Sequence, residues 1–183
     1  MIDRGQVVGS RNGRVRALPL GMCVSNRDLF HGFSLQSVDD KGRVAIPADL
    51  RETLDTNSPA KQVLIGRHPT LPCLVCYDAE WARELNDRLN ELARLAKLEG
   101  KPFDEAAERR LRRAEKAGYD NNGRFVIPSF ERDRAGIGKW AFFVGDNDTF
   151  QIWSPEQLIA ADIDDDDLKD RCRHYAAAKK VVL

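Results

Sequence analysis

The sequence predicts an α+β fold with a mainly β core, made of two tandem copies of one small unit with flanking helices. Three observations predict it. Two segments 81 positions apart read alike, Val38-Asp-Asp-Lys-Gly-Arg-Val-Ala-Ile-Pro47 and Tyr119-Asp-Asn-Asn-Gly-Arg-Phe-Val-Ile-Pro128, with five of ten positions identical. Each is followed by short apolar runs of strand length, bounded by turn residues. Between the copies, Trp81, Leu85, Leu89, Leu92 and Leu95 or Ala96 recur at spacings of three and four, the period of a helix with one buried face.

Taken in chain order, residues 1–29 carry Arg4, Arg11, Arg14, Arg16 and Arg27 against Asp3 and Asp28, followed by only a weak apolar stretch from Ala17 to Val24. That is too short and mixed for a secretory leader, so the segment is read as a basic extension without fixed structure. The first unit, with its long helix, occupies 30–100. Its motif has a local physical meaning: an Asp at the start of a turn can accept from the backbone two residues on, and a Gly at the fourth position supplies positive φ. Asp-x-x-Gly is therefore predicted as a hairpin tip, with Phe33 to Val38 entering it and Arg43 to Ile46 leaving. Alternation puts Val44 and Ile46 inward and Arg43 outward.

Pro47 ends that strand and starts a short helix to Leu54, since proline lacks a ladder donor but suits a helix start. Strands follow at Val63–Gly66 and Cys73–Tyr77, then a helix from about Ala79 to Leu98. A break at Gly100-Lys-Pro102 precedes a charged helix from Asp104 to about Arg113. The second unit, 101–163, repeats the plan: Phe125 and Ile127 inward, Arg124 outward, a helix from Pro128 to about Ala135, and strands at Phe142–Gly145 and Thr149–Trp153. Arg51 and Arg132 stand at the same offset in the two copies, as do Glu80 and Glu156 at helix starts. Residues 164–183 form a C-terminal tail opened by an acidic run.

Composition sets limits on function. With 42% hydrophobic and 32% charged residues, no apolar run approaches membrane-spanning length, so no membrane partner is expected. Lys plus Arg and Asp plus Glu both number 29, so bulk charge does not announce nucleic acid, and any contact must come from a local basic stripe. Cys23, Cys73, Cys76 and Cys172 are too scattered for a disulfide framework and are read as reduced thiols. Cys73-Leu-Val-Cys76 has no second ligand pair, and residues three apart on a strand face opposite ways, so it is not read as a metal or redox site. His68, in a Gly-Arg-His-Pro loop, is read as a surface residue. Phe142, Phe143, Phe150 and Trp153 are read as packing residues. No nucleophile–base set and no phosphate-cradling glycine loop is present, so the chain is expected to be no enzyme and to need no cofactor.

The paired Asp-x-x-x-Arg turns, each running into a short strand and a Pro, resemble those of the MraZ family. So does the run Phe30-His-Gly-Phe-Ser-Leu-Gln-Ser-Val-Asp39 that leads into the first turn, and the resemblance spans Phe30 to about Ile163. It implies two fused units of the AbrB/SpoVT swapped-hairpin type, and assembly of copies into a ring, an octamer or a dodecamer. It also implies a cytoplasmic, nucleoid-associated regulator. Such a protein binds direct repeats in double-stranded DNA upstream of the division and cell-wall gene cluster, usually as a repressor. Residue by residue, Asp39 with Arg43 and Asp120 with Arg124 become DNA-facing tips. Lys41 becomes a phosphate contact, and Asn121 and Asn122 stand where the second tip lacks a lysine. The alternative is an AbrB-like interaction or antitoxin-type module without a specific operator.

Overall fold

The structure, a computed structural model, describes residues 27–102 and 113–183. Residues 1–26 of the basic extension and nearly all of the charged helix expected from Asp104 lie outside the described residues. In chain order the elements are β1 (Phe33–Ser37), β2 (Arg43–Ala45), α1 (Ala48–Asn57), β3 (Gln62–Arg67), β4 (Leu74–Tyr77) and α2 (Ala79–Leu98). These are followed by β5 (Glu115–Gly118), β6 (Arg124–Val126), α3 (Ser129–Arg134), β7 (Trp140–Asp146), β8 (Thr149–Trp153), α4 (Pro155–Ala160) and α5 (Asp166–Ala178). The fold is α+β with a mainly antiparallel β core, as the sequence predicts.

The strands form a six-stranded sheet in the order β1-β7-β8-β4-β3-β5 and a separate two-stranded ribbon, β2-β6. This order corrects the simple hairpin. The two legs on either side of each Asp-x-x-Gly turn do not continue as a pair. β1 leaves the turn to pair with β7 of the second unit, and β5 of the second unit pairs with β3 of the first. Exchanging the units reverses the strand order onto itself, so the chain has an internal twofold relation.

The ribbon obeys the same relation. Val44 lies opposite Phe125, its counterpart 81 positions on, with Arg43 opposite Val126 and Ala45 opposite Arg124. Two reciprocal bonds extend it: Ile46 N–H donates to the Gly123 carbonyl (2.9 Å) and Ile127 N–H to that of Gly42 (3.0 Å). Each half of the ribbon completes the backbone hydrogen bonding that its own unit leaves open.

Alternation along the strands fills both faces of the sheet. Val63, Ile65, Leu74, Cys76, Phe143, Phe150 and Ile152 meet Val44, Phe125, Leu50 and Leu54 beneath the ribbon. Phe142, Val144 and Trp153 turn to the opposite face, under Leu158 of α4 and Leu168, Cys172 and Ala176 of α5. Leu64 and Tyr77 meet Trp81 of α2 on that same second face. The four aromatic residues read as packing residues are buried. Cys73 and Cys76 fall in different clusters on opposite faces, as strand geometry dictates, and burial pushes both thiols well up from their ordinary range.

Four sequence expectations need adjustment. The apolar stripe of α2 is buried only at Trp81 and Leu89, while Leu92, Leu95 and Leu98 are 48%, 39% and 71% exposed. A 20-residue helix runs for about 30 Å, and no described element covers its far half. β5 was not anticipated, because Glu, Lys, Ala and Gly are poor strand formers and only pairing with β3 holds them extended. The segment read as a tail contains α5, which buries Leu168, Cys172 and Ala176 and is capped by Asp165 accepting from Leu168 N–H at 3.0 Å. His68 is half-buried, its Nδ1 accepting from Leu71 N–H at 3.0 Å, and burial pulls its pKa down.

The long helix has a firm start. Asp78 caps it, one carboxylate oxygen accepting from Glu80 N–H and Trp81 N–H, both at 2.9 Å. The same buried carboxylate pairs with Arg27, whose Nη1 donates to Asp78 Oδ1 at 2.8 Å. Burial alone would push the Asp78 carboxyl up, but the Arg27 guanidinium and the two N–H groups outweigh it and hold the group below the usual range. Asp28 N–H donates to Asn57 Oδ1 at 2.9 Å, so the chain just before Phe30 is tied to both α1 and α2.

Candidate functional site

The site is built from the two turns and the ribbon between them. In the first turn Asp39 Oδ1 accepts from the backbone N–H groups of Lys41 (2.9 Å) and Arg43 (2.8 Å), while Oδ2 accepts from Arg43 Nε at 2.6 Å. Gly42 N–H closes the turn onto the Asp39 carbonyl at 2.8 Å, and Asp39 N–H donates to the Arg43 carbonyl at 3.0 Å. In the second turn Asp120 Oδ1 accepts from Asn122 N–H and Arg124 N–H, both at 2.9 Å, and Gly123 N–H bonds the Asp120 carbonyl at 2.9 Å.

Gly42 and Gly123 have φ of 77° and 74°, the left-handed region that glycine enters without steric cost. This is the tip geometry expected from Asp-x-x-Gly, achieved twice. The carboxyls are held below their usual range, Asp39 chiefly by the backbone N–H of Arg43 and Asp120 chiefly by that of Arg124.

The two arginines are presented differently. Arg43 lies along its own Asp39, whereas the Arg124 guanidinium makes no ion pair among the described residues. An exposed Asp–Arg pair gains little net energy in water, since solvent screens it and ordering two side chains opposes it. Asp39 can therefore aim Arg43 without tying it up.

All seven predicted site residues, Asp39, Lys41, Arg43, Asp120, Asn121, Asn122 and Arg124, are exposed. The structure also joins what the sequence showed as two separate tips. Arg43 and Arg124 stand on the outer face of one ribbon, with Val44 and Phe125 as its buried face. Asp39, Arg43, Asp120 and Arg124 all line one open cleft of about 730 Å³ beside it. Lys41, Asn121 and Asn122 stay outside the cleft, on the turns. On the ribbon face Ala45 and Val126 sit opposite the arginines, and Val126 is half exposed. Sequence reasoning missed the part these two play in the face, although strand alternation from Arg43 and Arg124 would have found them.

Arg51 and Arg132 were noted only as a repeat match. Each reaches the turn of the other unit: a methyl group placed on Gly42 would fall 2.6 Å from Arg132 Nη1, and one on Gly123 would fall 3.0 Å from Arg51 Cδ. Nothing in the sequence says which turn each would meet, because the contact depends on the strand exchange.

A duplicated swapped-hairpin protein, carrying paired exposed arginines on a single twofold ribbon, is the class that this fold and site define. No protein-family model matches the chain. Among curated proteins it is 34% identical over 136 residues to Transcriptional regulator MraZ of Ruegeria sp. (strain TM1040), covering 69% of this chain and 78% of that protein. It is 35% identical over 149 residues to the protein of the same name from Saccharophagus degradans, covering 76% and 92%. With that of Stenotrophomonas maltophilia it shares 33% over 151 residues, 78% and 95%. The chain belongs to the MraZ family of transcriptional regulators.

Proposed function

We propose that this chain regulates transcription by setting its β2-β6 ribbon into the major groove of direct repeats upstream of its own operon, within the division and cell-wall gene cluster, and acts there as a repressor. The observation that carries this reading is the placing of Arg43 and Arg124 on one outer face of one two-stranded ribbon. A two-stranded ribbon is an element the major groove admits, and an arginine can give a bidentate pair to guanine O6 and N7 or to a phosphate. Asp39 and Asp120 hold the turns and aim the arginines. Lys41 takes a phosphate, with Asn121 and Asn122 in the corresponding place at the other end. Phosphate contacts fix register, and base contacts give sequence preference.

One ribbon offers few contacts, so affinity rests on several copies acting together. A ring of copies presents ribbons at spacings that match successive repeats, and each engagement raises the effective concentration for the next. Such a protein works in the cytoplasm, at the nucleoid. The test is a footprint over the chain's upstream region with the unaltered protein and with Arg43→Ala and Arg124→Ala combined. Protection is expected with the first and absent with the second. Full protection by the double variant removes the role of the arginines, and no protection by the unaltered protein leaves the interaction-module reading in its place.

A further inference from the structure

The residues of the two motifs do not by themselves make a surface that attracts DNA. Asp39, Asp40 and Asp120 balance Lys41, Arg43 and Arg124, and all six are exposed on the turns and ribbon. Phosphate binding needs a local excess of positive charge, since its free energy comes largely from releasing the counterions that cations displace. The excess must come from outside the motifs.

Among the described residues, one pair of cations lies against the glycines of both turns. Arg132 from α3 lies on Gly42 of the first turn and Arg51 from α1 lies on Gly123 of the second, each crossing from the other unit. The Arg51 Nη1 is 3.4 Å from the site a methyl on Gly123 would occupy, and the Arg51 charge helps hold the Asp120 carboxyl low. Among the described residues neither guanidinium is held in a close ion pair elsewhere. That of Arg51 forms no ion pair among the described residues, and that of Arg132 has only Asp133 at 3.7 Å, with 26% of its side chain open to solvent. Glycine at both turns leaves the space that these side chains fill. On Gly42 the Arg132 guanidinium itself lies closest, and on Gly123 the Arg51 Cδ followed by its Nη1, so both side chains are already held against the turns, and such preorganisation reduces the entropy lost on contact.

We propose that Arg51 and Arg132 are phosphate-binding residues of this regulator, each completing the DNA surface around the opposite unit's turn. The inference rests on the DNA-binding reading above and adds two cations per chain to it. It also gives the strand exchange a consequence for binding, because each turn becomes cationic only when the other unit is in place.

The test is binding of a labelled duplex carrying the chain's own upstream region, titrated across a salt series. Four variants are compared with the unaltered protein: Arg51→Gln, Arg132→Gln, Arg51→Lys and Arg132→Lys. Each Gln variant is expected to lower the slope of log affinity against log salt by about 0.9 per bound protomer. Between about 50 mM and about 200 mM salt it would then lose roughly 3.5-fold less affinity than the unaltered protein. The Lys variants are expected to keep the slope, since charge rather than fork geometry carries the contact. A weaker Gln variant with an unchanged slope overturns the proposal and leaves the arginines as packing residues, and so does a Lys variant that falls as far as its Gln partner. Melting curves identify a variant that does not fold, and because the two positions are independent, either one answers the question. Failure of the unaltered protein to bind the duplex at any salt would instead remove the DNA-binding reading and this proposal together.

Discussion

At the scale of single residues, the turns show how short-range chemistry fixes a site. Asp39 and Gly42 act within four residues of each other, so the tip geometry, the outward Arg43 and their second copies were legible in the sequence. A Gly42→Ala or Gly123→Ala substitution should cost about 1–2 kcal/mol, because an L-residue is strained at that positive φ. Urea denaturation should show this as a lower midpoint, and a midpoint equal to that of the unaltered protein would contradict it. By contrast, Arg43→Ala with Arg124→Ala should leave the midpoint nearly unchanged, since both side chains are exposed. Arg51 and Arg132 were visible as matching positions, but their contacts were not, because Arg51 lies about 70 residues from Gly123 and Arg132 about 90 from Gly42, and only the strand exchange brings them together.

At the scale of elements, the approximate extent of α2 was readable, since its apolar spacing begins at Trp81 and Gly100-Lys-Pro102 follows its last turn; that Asp78 caps it is seen only in the structure. What the sequence could not supply was the burial of that cap against Arg27. Asp78→Ala removes a helix cap and strips the buried Arg27 guanidinium of its hydrogen-bonded partner, leaving it the Glu84 carboxylate at 4.0 Å, which should destabilise the protein by roughly 3 kcal/mol in thermal or urea unfolding. The pair also predicts a pH dependence. The folded Asp78 pKa lies below its unfolded value, so its contribution is complete above the ordinary aspartate range of about 4 and is lost as pH falls through the folded pKa. Asp78→Asn should flatten that part of the acid limb, and an unchanged acid limb would show that other carboxylates set it. β5 and the exposed half of α2 mark the opposite limit. A strand of poor formers is held by its neighbour, and a helical apolar stripe says only that a face exists, not that a described element covers it.

At the scale of the whole molecule, the repeat told how many units there are but not which strand pairs with which. Period and turn chemistry are the same for a closed hairpin and for an exchanged one; the choice is made by long-range packing. Because β1 and β5 each complete the other unit's sheet, neither half should fold as a monomer. Split after Gly100, the two pieces should give little native circular dichroism singly at low concentration and recover it on mixing, and a half that folds alone independently of concentration would refute this. Covalent joining has one more effect. Two identical subunits sharing such a ribbon would look the same from either end and would suit only inverted sites. Here one end carries Lys41 and Val126 and the other Asn122 and Ala45. The ribbon therefore has a head and a tail, and under the proposed function that polarity would let successive copies all face the same way on tandem sites.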